Sequence, residues 1–187
     1  MENMHEATDR ARLPVATEPG VLVHAGDRQL DVERWLLSSL VREGRDRSRV
    51  EWQELGVTVL PLGDHLSAVR IPGALVRAAV QCDEGSAVGA RLAERLRGPV
   101  IHDPGFDRYY ALVPTSAGPV RVPPGTEYLG GGTYLGVPRT DLTALDKGTL
   151  ASYWSAPITR PGALCALADV CELALLGHIL TNEEAES

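Results

Sequence analysis

The sequence predicts an α/β (α+β) fold with a mixed central sheet and flanking helices, and three observations carry that prediction. Short apolar runs bounded by turn residues, GVTVLPLG at 56–63, LSAVRIP at 66–72 and RYYALVP at 108–114, have the length and branching of strands. Between and after them lie longer segments in which apolar residues return every three or four positions, the spacing of one helix face. The chain has 187 residues, 44% hydrophobic and 23% charged, which suits one soluble domain with a sizeable core.

The elements follow in order. Residues 1–19 lack apolar periodicity and contain Pro14 and Pro19, so they read as a flexible leader, with structure beginning at GVLVHAG. Val32, Trp35, Leu36 and Leu40 predict a helix from Asp31 to about Glu43, with Asp31 placed to cap its first amides. The runs 56–63 and 66–72 read as strands paired around Gly63-Asp64. Pro72 suits a helix start, where its missing amide costs nothing, and Leu75, Val76, Ala79 and Val80 form one apolar face. A further helix starts at Ser86 with Val88, Leu92 and Leu96 inward and ends at Gly98-Pro99. PVIHD is then a strand, so strand, helices and strand make a right-handed crossover. FDRYYALVP reads as a strand, and EYLGGGTYLGVP as two strand segments or one bulged strand. SYWSAP and a helix over about 162–180, with Leu164, Leu167, Ala168, Cys171 and Leu175 on one stripe, close a domain spanning 20–180. Residues 181–187 form an acidic tail.

Charge narrows the function classes. The net charge is −7, but the leader and tail contribute −2 and −3 of it. The near-neutral remainder lacks the electrostatic footprint of a strong nucleic-acid binder, and the basic run REGRDRSR at 42–49 reads as a solvated helix end or loop. Lys147 is the single lysine among 18 basic residues, a bias expected of a high-GC bacterial genome. Cys82, Cys165 and Cys171 form no CxxC pair and no secretion signal is evident, so a reduced, cytoplasmic setting is expected. Asp169 and Glu172 interrupt the most apolar stretch, which argues against a membrane span.

Few residues suggest chemistry. Gly130, Gly131 and Gly132 either let backbone amides approach a phosphate or turn the chain between strands, and the absence of a P-loop lysine favours the turn. His102 and Asp103 could act as a base and its orienting acid in a small hydrolase or transferase. No nucleophile elbow surrounds Ser67 or Ser86, and acids beside Cys82 work against a thiolate there.

The order GVTV, SAVRIP, helices, RYYALVP and EYLGGGTYLGVP resembles the N-terminal domain of bifunctional DNA primase/polymerases, the prim-pol group of the archaeo-eukaryotic primase superfamily, over roughly residues 52–138. Gly130, Gly132, Tyr134 and Pro138 match that family's glycine-rich segment, and Glu127 falls where the family has a carboxylate. The resemblance implies a pair of acids one residue apart on a strand, facing one way to hold metal at a triphosphate. Here that strand reads SAVRIP, with Val69 and Ile71 flanking Arg70. The family's nucleotide-binding histidine falls on Arg108 or Tyr109. The resemblance therefore implies a reduced prim-pol-like domain that is non-catalytic, a regulatory or interaction module without a cofactor. Its candidate ligand-binding residues are Arg70, Arg108, Tyr109, Glu127, Gly130, Gly131, Gly132 and Arg139, the arginines lining the former cleft to take an anion. Nucleotide, nucleic acid and a partner protein stay open as partners. The alternative is an active metal-dependent nucleotidyltransferase whose acids are Asp103, Asp107 and Glu127.

Overall fold

The computed structural model describes residues 15–18, 21–23 and 25–185. Strands β1 (Val15–Glu18) and β2 (Val21–Val23) pair with each other, so part of the expected leader is a strand; the rest of it lies outside the described residues. Helices α1 (Ala25–Leu36) and α2 (Arg42–Leu55) follow, separated by a short 3-10 turn at Leu37–Ser39. Then come β3 (Val57–Pro61), β4 (Ser67–Pro72), α3 (Gly73–Val80), α4 (Gly85–Leu96), β5 (Val100–Asp103) and β6 (Arg108–Val113). Strands β7 (Glu127–Leu129), β8 (Tyr134–Pro138) and β9 (Tyr153–Ala156) and helix α5 (Leu167–Ala185) complete the order.

The fold is α+β, with a five-stranded central sheet in the order β7-β4-β6-β5-β9. Every described pairing is antiparallel, where a mixed sheet was expected. The reason lies in β6, which returns between β4 and β5. The two strands joined by α3 and α4 share a direction but do not touch, so the expected crossover exists as a split unit.

The expected hairpin of β3 on β4 does not form. Instead β3 pairs with β8, and β4 with β7, in one long antiparallel pair bent at a single corner. Residues 62–66 make the corner on one chain segment and 130–133 on the other. Leu62 N donates to Thr133 O at 2.9 Å across it, and Gly63 N donates to Leu66 O at 2.8 Å within it. Gly63 has φ +104°, and a Cβ there would lie 2.5 Å from Gly131 N and closer still to its Cα. Two backbones thus cross at a distance only glycine permits. The glycine run is the inside of that corner: Thr133 N and Oγ1 both donate to Gly130 O, and Gly132 sits at φ +83°.

One core lies between the central sheet and α3, α4 and α5, built on Val69, Ile71, Val76, Val88, Leu92, Tyr109 and Ala111. The second lies on the opposite sheet face, beneath the β3-β8 ribbon and the first helices, around Leu36, Trp52, Leu60, Leu112, Val137 and Trp154. The indoles of Trp52 and Trp154 donate to Val137 O and Pro138 O at 2.9 and 3.1 Å, tying β8 to both.

The helix limits need four corrections. The first helix starts at Ala25, so Asp31 is not its cap but an exposed mid-helix residue paired with Arg34 at 3.2 Å. REGRDRSR opens a separate helix, α2, whose buried Ser48 and Trp52 are too sparse for an apolar face to stand out in the sequence. Arg97, not Gly98, takes the left-handed position after α4 at φ +51°, and Gly98 instead admits the backbone of Cys165. In α5 the buried stripe is Val170, Leu173, Ala174 and Gly177, while Ala168 and Leu175 face out. A helix rich in apolar residues on several faces carries no clear moment, so its neighbours choose the inward side. That helix also runs to Ala185 and absorbs most of the expected tail; residues 186–187 lie outside the described residues.

Candidate functional site

Alternation along β4 and β6 sends Val69, Ile71 and Tyr109 into the helix-covered core and Arg70, Tyr110 and Arg108 to the other face. Register sets Arg70 between Tyr110 on β6 and Glu127 on β7, and Arg70 forms an ion pair with Glu127. Arg108 lies two residues along β6 and rests 5.3 Å from the centre of the Phe106 ring, a ring 72% exposed. Three of the candidate residues therefore share one partly open sheet end with two aromatic rings.

The other candidates do not join them. Tyr109 is buried on the opposite face, stacked on the His102 ring at 4.0 Å, and burial pushes its phenol up to about 12. Arg139 follows the far end of β8, where it grips Asp141 through two bonds of 2.6 and 3.1 Å and reaches Trp52 O. That pairing holds the Asp141 carboxyl below its usual range. Gly130, Gly131 and Gly132 belong to the corner. The expected line of arginines around one anion is thus a single Arg70–Arg108 face, because the bend in the long strand pair carries Arg139 onto the other arm.

His102 and Asp103 are not a working pair. Neighbours on a strand face opposite sides, and His102 turns into the helix-covered face. There its Nδ1 lies 3.0 Å from the Tyr153 hydroxyl and its Nε2 lies 3.9 Å from Asp107 Oδ1. Asp107 accepts two bonds from Arg77 at 2.7 and 2.8 Å, which hold its carboxyl below the usual range. Gly73 leaves the space that the Asp107 side chain fills, and Gly73 N donates to Asp107 O at 2.8 Å. Burial lowers the basicity of His102, against a smaller opposing pull from Asp107. This Arg77–Asp107–His102–Tyr153 chain is not legible in the sequence, since its members come from α3, the turn after β5, β5 itself and β9. The one trace in the sequence is an aspartate in the turn PGFDR, a residue type that tolerates well the left-handed conformation Asp107 takes at φ +49°.

Asp103, Asp107 and Glu127 do not converge, Glu127 being held by Arg70 and Asp107 by Arg77. Among the described residues no group of three or more His, Cys, Asp or Glu side chains could hold a metal ion, and no helix is long and apolar enough to cross a membrane. Cys165 is buried, its thiol pushed up to about 12 by desolvation, and it serves packing. Compared with known proteins, the chain matches no family model, no curated protein and no solved structure.

Proposed function

We propose that this chain is a non-catalytic interaction module related to primase/polymerase domains, which takes a nucleotide or a short stretch of nucleic acid on the Arg70–Arg108 sheet end. The observation that carries the reading is the Arg70–Glu127 ion pair. Phosphoryl transfer of this kind needs acids that hold metal ions on the triphosphate. In this chain the paired positions carry Val69 and Ile71, both turned into the helix-covered core, the residue between them is a cation, and the nearest acid is neutralised by it. Beside that pair, Arg108 over Phe106 and the half-buried Tyr110 supply a charge and ring faces, the combination on which phosphates and bases settle.

Fluorescence anisotropy with labelled ATP and a short labelled single-stranded oligonucleotide tests this, with and without EDTA. Binding is expected to survive chelation, weaken with added salt, and fall roughly tenfold in Arg108→Ala, the loss of one charge-assisted contact. Magnesium- or manganese-dependent nucleotide incorporation would overturn the non-catalytic reading. Binding unchanged by Arg108→Ala and Arg70→Ala would remove this face as the site.

A further inference from the structure

A second site lies on the other side of the central sheet. A cleft of about 460 Å³ opens between the start of α4 and the loop that leads from β8 to β9, walled by Glu84, Gly85, Ser86, Leu145, Lys147 and Tyr153. Tyr153 is 5% exposed, and its hydroxyl ends the chain that runs from the half-exposed Asp107 through the part-buried His102.

The Asp107 carboxylate decides which way that chain is polarised. A lone pair on His102 Nε2 would face negative charge, so the neutral ring carries its proton there, and Nε2 is otherwise without a hydrogen-bond partner among the described residues. Nδ1 is then an acceptor, and the Tyr153 hydroxyl donates to it. With its hydrogen committed inward, Tyr153 can only accept from a group in the cleft. Glu84 is an acceptor as well. Its two oxygens take three bonds, from Ser86 N, Ser86 Oγ and Ala87 N at 3.1, 2.5 and 2.9 Å, and a carboxylate has about four such places. Ser86 spends its own hydrogen on Glu84.

One end of the cleft is therefore rich in acceptors and carries a negative charge. The remaining charged group in its wall is Lys147, the single lysine of the chain, which has no carboxylate partner among the described residues. We propose that this cleft binds a small zwitterion, an ammonium and a carboxylate on one short skeleton as in a free amino acid. The ammonium is directed at Tyr153 and Glu84 and the carboxylate at Lys147. A ligand with only an anionic group makes no use of the Glu84 and Tyr153 acceptors, and one with only a cationic group makes none of Lys147, so each forgoes one of the two charge-assisted contacts that the zwitterion makes together.

Isothermal titration of the full chain with glycine, L-alanine, L-serine and L-aspartate, each alone at up to millimolar concentration, tests the proposal. Ethylamine and propionate serve as the single-charge controls. At least one amino acid is expected to bind saturably, with affinity lowered about tenfold or more in Lys147→Met and in Tyr153→Phe. Lys147 is an exposed loop residue, so its variant keeps the fold and decides the matter if Tyr153→Phe proves unstable by circular dichroism. No saturable binding, equal binding of either control, or affinity untouched by Lys147→Met would overturn it. Arg70→Ala should leave this binding unchanged, which separates it from the nucleotide reading.

Discussion

Helix α5 lies against α3 at Gly177, and replacing that glycine by alanine probes how closely the two backbones meet. A Cβ at 177 would stand 2.8 Å from the carbonyl carbon of Leu75, 3.0 Å from its Cα, and nearer still to its carbonyl oxygen. Contacts under 3.0 Å are essentially never shown by real Cβ atoms, and the obstructing atoms here are main chain, which cannot swing aside as a side chain would. The helices must separate, opening the packing of Val76, Val170 and Ala174 that they share in the helix-side core. Overpacking of this kind costs roughly 1–3 kcal/mol, and backbone obstruction belongs at the upper end. Alanine in a helix interior returns about 1 kcal/mol relative to glycine, so Gly177→Ala should destabilise by about 2 kcal/mol. For a chain of this length that is a fall of roughly 4–8 °C in Tm. Gly44→Ala in α2 is the control, because its nearest foreign atom is Leu40 Cβ at 3.4 Å, an ordinary contact. It should leave stability unchanged or raise it by up to about 1 kcal/mol. Urea unfolding followed by circular dichroism measures both. A Gly177→Ala protein as stable as the parent would refute the close approach of α3 and α5.

Three further outcomes follow from the corner and the Asp107–His102 chain. Gly63→Ala should destabilise by about 2 kcal/mol or more through its φ of +104° and its meeting with the Gly131 backbone, whereas Gly131→Ala, with nothing within 4 Å of its Cβ, should be nearly neutral by the same urea assay. His102 is less basic folded than its unfolded value of about 6.5, so the unfolded chain takes up the proton first and stability should fall as pH drops through that value; His102→Gln should remove this part of the slope in melting curves collected across the range. Asp107 has a depressed pKa, so its contribution is present above its ordinary value and lost as pH falls through the lower folded one; Asp107→Asn should reduce stability at neutral pH and flatten the acid limb of the same curves.

The sequence by itself determined the local pieces whose signals are short-range. Strands SAVRIP, PVIHD and RYYALVP, the inward residues of α3 and α4, and the inability of Arg70 to act as a metal-holding acid all follow from period, punctuation and side-chain chemistry. Tertiary structure decided which pieces pair. Nothing local to Gly63-Asp64 tells a hairpin from a corner, because both require a turn, and only the crossing with Gly131 selects the bend. The buried stripe of α5 differs from the expected one for a related reason: with apolar residues on several sides, the inward face is chosen by where α3 allows a backbone to approach, which is at Gly177. Strand alternation already separates His102 from Asp103, but the acid that does face His102 lies beyond a turn, at Asp107, and its hydroxyl partner Tyr153 lies 51 residues away. Charge placement behaves in the same way, since the residue types are written in the chain whereas the pairing of Arg70 with Glu127 depends on a strand register that forms only when the long pair closes.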